Sequence, residues 1–286
     1  IYARTPDMVA HFEALFDEPY PWDKYDQAIV RDFRWGGMEN TSATILYEAA
    51  SRGGPGAHDD LIAHELVHQW FGNLVTCRSW EHLWLNEGWA SFGEALWQER
   101  RAVLDLPEAE RATPAARAAS RRAYQESVVG FARAQRRGNR AVAPDSPAMA
   151  SNRYNDPDDV FGKADDVYAK GAVVLHMLRE RLGDEVFWSA TRLYLDRFRF
   201  REVETSDFRK TLEEVSGQSL ERFFDQWVHR PGIARLDVEL AWSDMTPTDA
   251  PAGEPDGAAG DAPQGPTLTV TIEQTQKIDH LNPAYA

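Results

Sequence analysis

The chain has 286 residues, 43% of them apolar, ten tryptophans among them, and a formal net charge of −15. This length exceeds one average domain and the apolar content is ample for a packed core, whereas the acidic balance argues against a nucleic-acid partner. A lone cysteine, Cys77, excludes an intramolecular disulfide framework and a thiolate metal cluster, and no apolar run reaches the roughly 18 residues of a membrane span. The chain opens at Ile1 without methionine or a leader pattern, so it reads as a mature fragment or as lacking its upstream part. Cytoplasmic and periplasmic or secreted settings both fit.

Residues 7–16 place Met8, Phe12, Leu15 and Phe16 at helical spacing behind Asp7 as the cap. Pro19 and Pro21 break that pattern. Residues 27–33 read as a strand leading into Gly36-Gly37-Met38-Glu39-Asn40. The paired glycines there either turn a hairpin or let backbone lie close to a ligand. A second short strand follows at 44–47, then a Gly/Pro loop at 53–56. Leu61, Ile62, Leu66, Val67, Trp70 and Phe71 leave almost no polar face for the next helix, which predicts its burial.

Another helix starts near Asn86 and runs to about Arg101 through Trp89, Phe92, Leu96 and Trp97. Between 100 and 140 there are ten arginines against four acidic residues, and 108–138 reads as a solvated surface helix. Residues 144–157 form a loop. A strongly periodic helix then carries Tyr168, Val173, Val174, Leu175, Met177, Leu178 and Leu182. Further helices are expected at 184–198 and 205–217, capped by Asp184 and by Thr205 or Ser206, and a short one at 220–228. Beyond Pro231-Gly232 the period changes to two, giving half-buried strands at 235–242 and 267–274 around a disordered loop at 244–266. Two strands make no stable domain alone, so an all-β domain is expected to begin here.

The chemistry concentrates between His64 and Glu87. His64 and His68 stand four residues apart on a helix, so both imidazoles reach one ion from one face. Glu65 lies beside them, where a carboxylate can take a proton from water on a zinc ion. Eighteen residues separate His68 from Glu87, room for a loop and a returning helix. Two histidines and one glutamate leave a fourth coordination position open, the pattern of a catalytic rather than a structural zinc site. The elongated three-histidine motif is excluded, because its glycine and third histidine would fall on Phe71 and Leu74.

Four segments together resemble the gluzincin aminopeptidases, the aminopeptidase N and leukotriene hydrolase family. These are Gly36-Gly37-Met38-Glu39-Asn40, the His64 to His68 motif with its spacing to Asn86-Glu87-Gly88, Tyr168-Ala169-Lys170-Gly171, and Phe223-Phe224-Asp225-Gln226-Trp227. The resemblance implies an α+β, thermolysin-like zinc peptidase domain over 1–233, with a small β subdomain before a mostly helical one. A β-sandwich domain would start over 234–286. It further implies one zinc ion per chain on His64, His68 and Glu87, with Glu65 as general base and Tyr168 as oxyanion donor. Glu39 would hold the free amine of a peptide substrate, beside backbone from Gly36, Gly37, Met38 and Asn40. Gly37 departs from the family's usual alanine, which should loosen the loop. The family's N-terminal all-β domain has no counterpart in the chain. The expected activity is removal of single residues from peptides with a free N-terminus. A thermolysin-like endopeptidase, an epoxide hydrolase and an inactive scaffold are the competing readings.

Overall fold

In a computed structural model, residues 2–138, 146–161, 165–243 and 266–275 are described. They divide into a unit ending at Gly232 and a second unit beginning at Ile233. The first unit opens with α1 (Thr5–Phe16), which buries Met8, Phe12 and Phe16 as their spacing predicts. Asp7 lies inside its first turn and Arg4 takes the cap position, with Pro6 in the first turn, where its missing N–H costs nothing.

Strand β1 (Asp26–Val30) is shorter than expected, because the chain turns at once and Asp32 takes a left-handed φ of 58°. β2 (Gly37–Met38) and β3 (Ala43–Tyr47) follow. β3 is central, parallel to β1 and antiparallel to β2, so β2 is an edge strand. The hairpin turn does not fall on the glycines. It falls after them, where the Ala43 N–H donates to the Asn40 carbonyl at 2.8 Å and Ser42 has φ of 61°. Gly37 lies within the ladder, paired with Leu46.

Helix α2 (Asp59–Val67) is buried along most of its length, and its last turn tightens beyond His68 through bonds spanning three residues, Gln69 to Leu66 and Trp70 to Val67. β4 (Val75–Cys77) returns the chain to α3 (Trp84–Leu104), which begins two residues ahead of Asn86. α4 (Glu108–Arg111) is a single turn before α5 (Pro114–Gly138). The basic face of α5 is exposed, but Ala116, Tyr124, Val128 and Gln135 are buried, so the helix is packed rather than solvated all round. Apart from Val128 the stripe is built from Ala, Tyr and Gln, which carry little hydrophobic signal.

After α6 (Asp158–Phe161) come α7 (Ala169–Leu182) and α8 (Asp184–Phe198), then β5 (Arg201–Val203), parallel to β4. α9 (Thr205–Ser216) and α10 (Glu221–Trp227) complete the unit. Two caps differ from expectation. Gly183 precedes α8, with Asp184 at its first helical position, and Glu204 caps α9 in a reciprocal box with Asp207. The core is aromatic: Trp70, Trp84, Trp89 and Trp97 are fully buried, and Phe71 stacks on Trp89 at 4.1 Å between centroids.

The second unit contains β6 (Leu236–Ser243) and β7 (Thr267–Gln274), antiparallel with Val238 opposite Ile272 and Leu240 opposite Val270. Both faces are exposed rather than half-buried; Leu240 retains 67% of its accessible surface. Residues 244–265 of the expected loop lie outside the described residues.

Candidate active site

Three elements converge on one cavity of about 820 Å³. α2 supplies His64 and Glu65, with His68 at its C-terminal edge, α3 supplies Glu87, and the edge strand β2 supplies the floor. Close helix crossings set the register. A Cβ added to Gly93 of α3 would lie 2.5 Å from Val67, so glycine is what lets α2 and α3 approach.

The donor atoms of the expected metal ligands meet. His64 Nε2 and His68 Nε2 stand 3.2 Å apart, and Glu87 Oε2 is 3.3 Å from the first and 3.2 Å from the second. Ligands at about 2.0–2.1 Å around a tetrahedral ion stand about 3.3 Å from one another, so these spacings fit zinc. The outer ring nitrogens support the same reading. His64 Nδ1 faces Glu94 Oε1 at 2.8 Å and His68 Nδ1 faces the Phe71 carbonyl at 3.1 Å. With acceptors outside, the neutral form of each ring carries its proton on Nδ1, which leaves Nε2 as the atom that would ligate a cation on the inner side. All three ligands are buried, where a cation would balance the carboxylate.

The protonation equilibria reflect this crowding. Burial alone would push the Glu87 carboxyl up, but the His68 and His64 imidazoles outweigh it and hold it down to about 2. Burial opposes charge on His68, yet Glu87 and Glu39 raise it to about 9. Glu65 is pushed up to about 7, chiefly by burial, with the two histidines opposing. Burial also drives the Tyr168 phenol up and raises the Cys77 thiol to about 12, so Cys77, although in the cavity wall, is no thiolate nucleophile.

The remaining expected residues distribute as follows. Glu65 lies in the same wall, and a methyl added to Gly37 would collide with its carboxylate, so the glycine leaves space that Glu65 fills. Gly36, Gly37, Met38 and Glu39 line the cavity. The Glu39 side chain is 20% exposed and approaches His68 Nδ1 to 4.0 Å. Asn40 is not among the lining residues; its carbonyl closes the β2–β3 turn. The Tyr168 ring lies nearly parallel to His64 at 5.9 Å between centroids.

Several contributors escape sequence reasoning. Glu94 lies seven residues beyond Glu87, two turns along one helix face, a spacing that could have revealed it. Gln69 and Asn73 donate to the Glu39 carbonyl at 3.2 and 2.8 Å, and Gln69 also accepts the Ser42 N–H at 2.9 Å, fixing the turn behind Glu39. Trp35, Trp80 and Phe161 form an aromatic side wall, with Phe161 6.4 Å from Trp35 and 6.1 Å from Trp80. Nothing in their local pattern marks that role.

The chain is 34% identical over 236 residues to aminopeptidase N of Streptomyces lividans, covering 80% of this chain and 26% of that protein. It is 31% identical over 255 residues to human glutamyl aminopeptidase, covering 82% and 23%. Among solved structures, native yeast LTA4 hydrolase superimposes with a TM-score of 0.64 at 26% identity over 81% of this chain and 35% of that one. An M1 zinc metallopeptidase from Deinococcus radiodurans gives 0.58 at 25% identity over 80% and 44%. The chain thus spans about a quarter of the length of the curated relatives it matches. The model of the peptidase family M1 domain matches residues 2–227, and the chain belongs to that family.

Proposed function

We propose that this chain carries the catalytic centre of a zinc aminopeptidase that removes single residues from the free N-terminus of peptides. The observation that carries this reading is the meeting of His64, His68 and Glu87 donors at mutual distances of 3.2–3.3 Å, in a cavity that also contains Glu65, Glu39 and Tyr168. Residues 1–233 would form its thermolysin-like domain and residues from 234 the start of a β-sandwich.

His64, His68 and Glu87 would hold one zinc ion, which supplies Lewis acidity toward water and the scissile carbonyl. Glu65 takes the proton of the attacking water and returns it to the leaving amine; a carboxyl near neutrality suits both transfers. The Tyr168 hydroxyl, protonated at any working pH, donates a hydrogen bond to the carbonyl oxygen as it gains charge. Glu39 pairs with the substrate ammonium and so sets the scissile bond one residue in. The Gly36 to Met38 backbone lies along the cleft, where an extended peptide can follow the edge strand.

The test is a comparison of kcat/KM for matched peptides with free and acetylated N-termini, in the intact protein and in Glu39→Ala. Charge-assisted pairing in a partly desolvated cleft is worth about 1.5–3 kcal/mol, or roughly 10- to 100-fold. The free-amine substrate should lose that factor in Glu39→Ala, and the acetylated one should be poor in both proteins. Equal cleavage of both peptides by the unaltered protein would replace this reading with an endopeptidase.

A further inference from the structure

Lys170 belongs to the Tyr168-Ala169-Lys170-Gly171 segment, but its ammonium does not reach the cavity. It is 1% exposed, and its Nζ donates to Asp165 Oδ2 at 2.7 Å and to the Arg230 carbonyl at 3.4 Å. The Asp165 side chain is fully buried. Its two oxygens also accept the Gly232 N–H at 3.1 and 3.0 Å, and Oδ1 accepts Gln135 Nε2 at 3.3 Å. The other end of the Gln135 amide accepts the Asp166 N–H at 3.3 Å. Asp166 in turn accepts the Tyr168 N–H at 2.9 Å and, through its carbonyl, the Lys170 N–H at 3.1 Å.

A buried ion pair is costly unless its remaining hydrogen-bonding capacity is met, and here Gln135 of α5 and the carbonyl and N–H of the 230–232 segment meet it. All the ties converge on the 165–170 turn, through Asp165, Asp166, Tyr168 and Lys170. Asp165 and Lys170 bracket Tyr168, and their partners lie on α5 and at the end of α10's exit loop. Tyr168 itself sits at the cap of α7, outside the helix, where its own helical bonds do not fix the ring.

We propose that the Lys170–Asp165 pair is a positioning device: it locks the 165–170 turn to Gln135 and to the 230–232 backbone, and so holds the Tyr168 phenol over the site. The inference rests on the catalytic reading of Tyr168 given above. Displacement of a catalytic group by about 1 Å costs on the order of 100-fold in rate. Lys170→Met removes the charge and keeps the stem. Because it strands a buried carboxylate, Lys170→Met/Asp165→Asn is the companion variant, neutral and still able to accept the Gly232 N–H.

Both variants should lower kcat by about 10- to 100-fold with KM and zinc content held. In a Tyr168→Phe background the same changes should cost little more, because a hydroxyl already removed cannot be misplaced. Amide exchange over residues 165–170 should also quicken in the metal-free protein. Equal losses in the two backgrounds, or unchanged kcat, would overturn the proposal. If Tyr168→Phe alone leaves kcat intact, the catalytic reading of Tyr168 fails instead, and unaltered exchange at 165–170 would then overturn the clamp separately.

Discussion

Glu65 and Glu94 both line the cavity, yet their surroundings differ. Glu65 has no imidazole partner at hydrogen-bonding distance and is raised by burial to about 7, which suits the base role proposed for it. Glu94 is committed to His64 Nδ1 at 2.8 Å and orients that ring. Glu65→Gln should therefore keep one zinc per chain while losing at least 100-fold in kcat, since an amide cannot accept the proton. Glu94→Ala should keep the fold but weaken zinc binding by about 10- to 100-fold, read by competition with a chelator. Near-normal turnover in Glu65→Gln with full zinc would assign the base elsewhere. Unchanged zinc affinity in Glu94→Ala would make its contact with His64 incidental.

At the scale of elements, the site depends on two glycines where α3 and α7 cross. A Cβ on Gly171 would lie 2.7 Å from Gly88 Cα, and one on Gly88 would lie 2.9 Å from Gly171 Cα. Glu87 and Lys170 are their immediate neighbours, so this crossing sets the distance between the proposed metal ligands and the Tyr168 turn. Gly171→Ala should force the helices apart, destabilising by about 1–3 kcal/mol and reducing kcat. Urea midpoints and turnover check both, and an unchanged pair would show the crossing to be slack.

The same scale explains what was legible beforehand. His64, His68 and the α1 and α7 core positions follow a helical period, which a local window reveals, whereas Glu87 lies on another helix and is found by its spacing and the motif around it. The order β1-β3-β2 depends on pairing between separate segments, so it leaves no local trace. The buried side of α5 is written mostly in Ala116, Tyr124 and Gln135, with Val128 its one branched aliphatic residue. Glu204 caps α9 although glutamate is not a usual cap, because Asp207 reciprocates three residues on.

Across the whole molecule, the first unit's stability should carry an acid limit through His11. Burial lowers its pKa, Arg100 lowers it further, and the Leu96 carbonyl only partly opposes them, leaving about 4. The unfolded value is about 6.5. Protonation between these values favours the unfolded chain, so the contribution is complete above about pH 6.5 and is lost as pH falls toward 4. Denaturation at pH 7, 5.5 and 4.5 should show stability falling, with a shallower slope in His11→Gln. Parallel slopes would assign the acid limit to other groups.

The central claim is the metal centre, from which the roles of Glu65, Tyr168 and Glu39 all follow. Its most direct test is a crystal structure of the zinc-loaded protein with anomalous data collected across the zinc edge. The account predicts one anomalous peak per chain, about 2.0–2.2 Å from His64 Nε2, His68 Nε2 and a Glu87 oxygen. A peak elsewhere, or Glu87 turned away with the two histidines bonded to other groups, would contradict it.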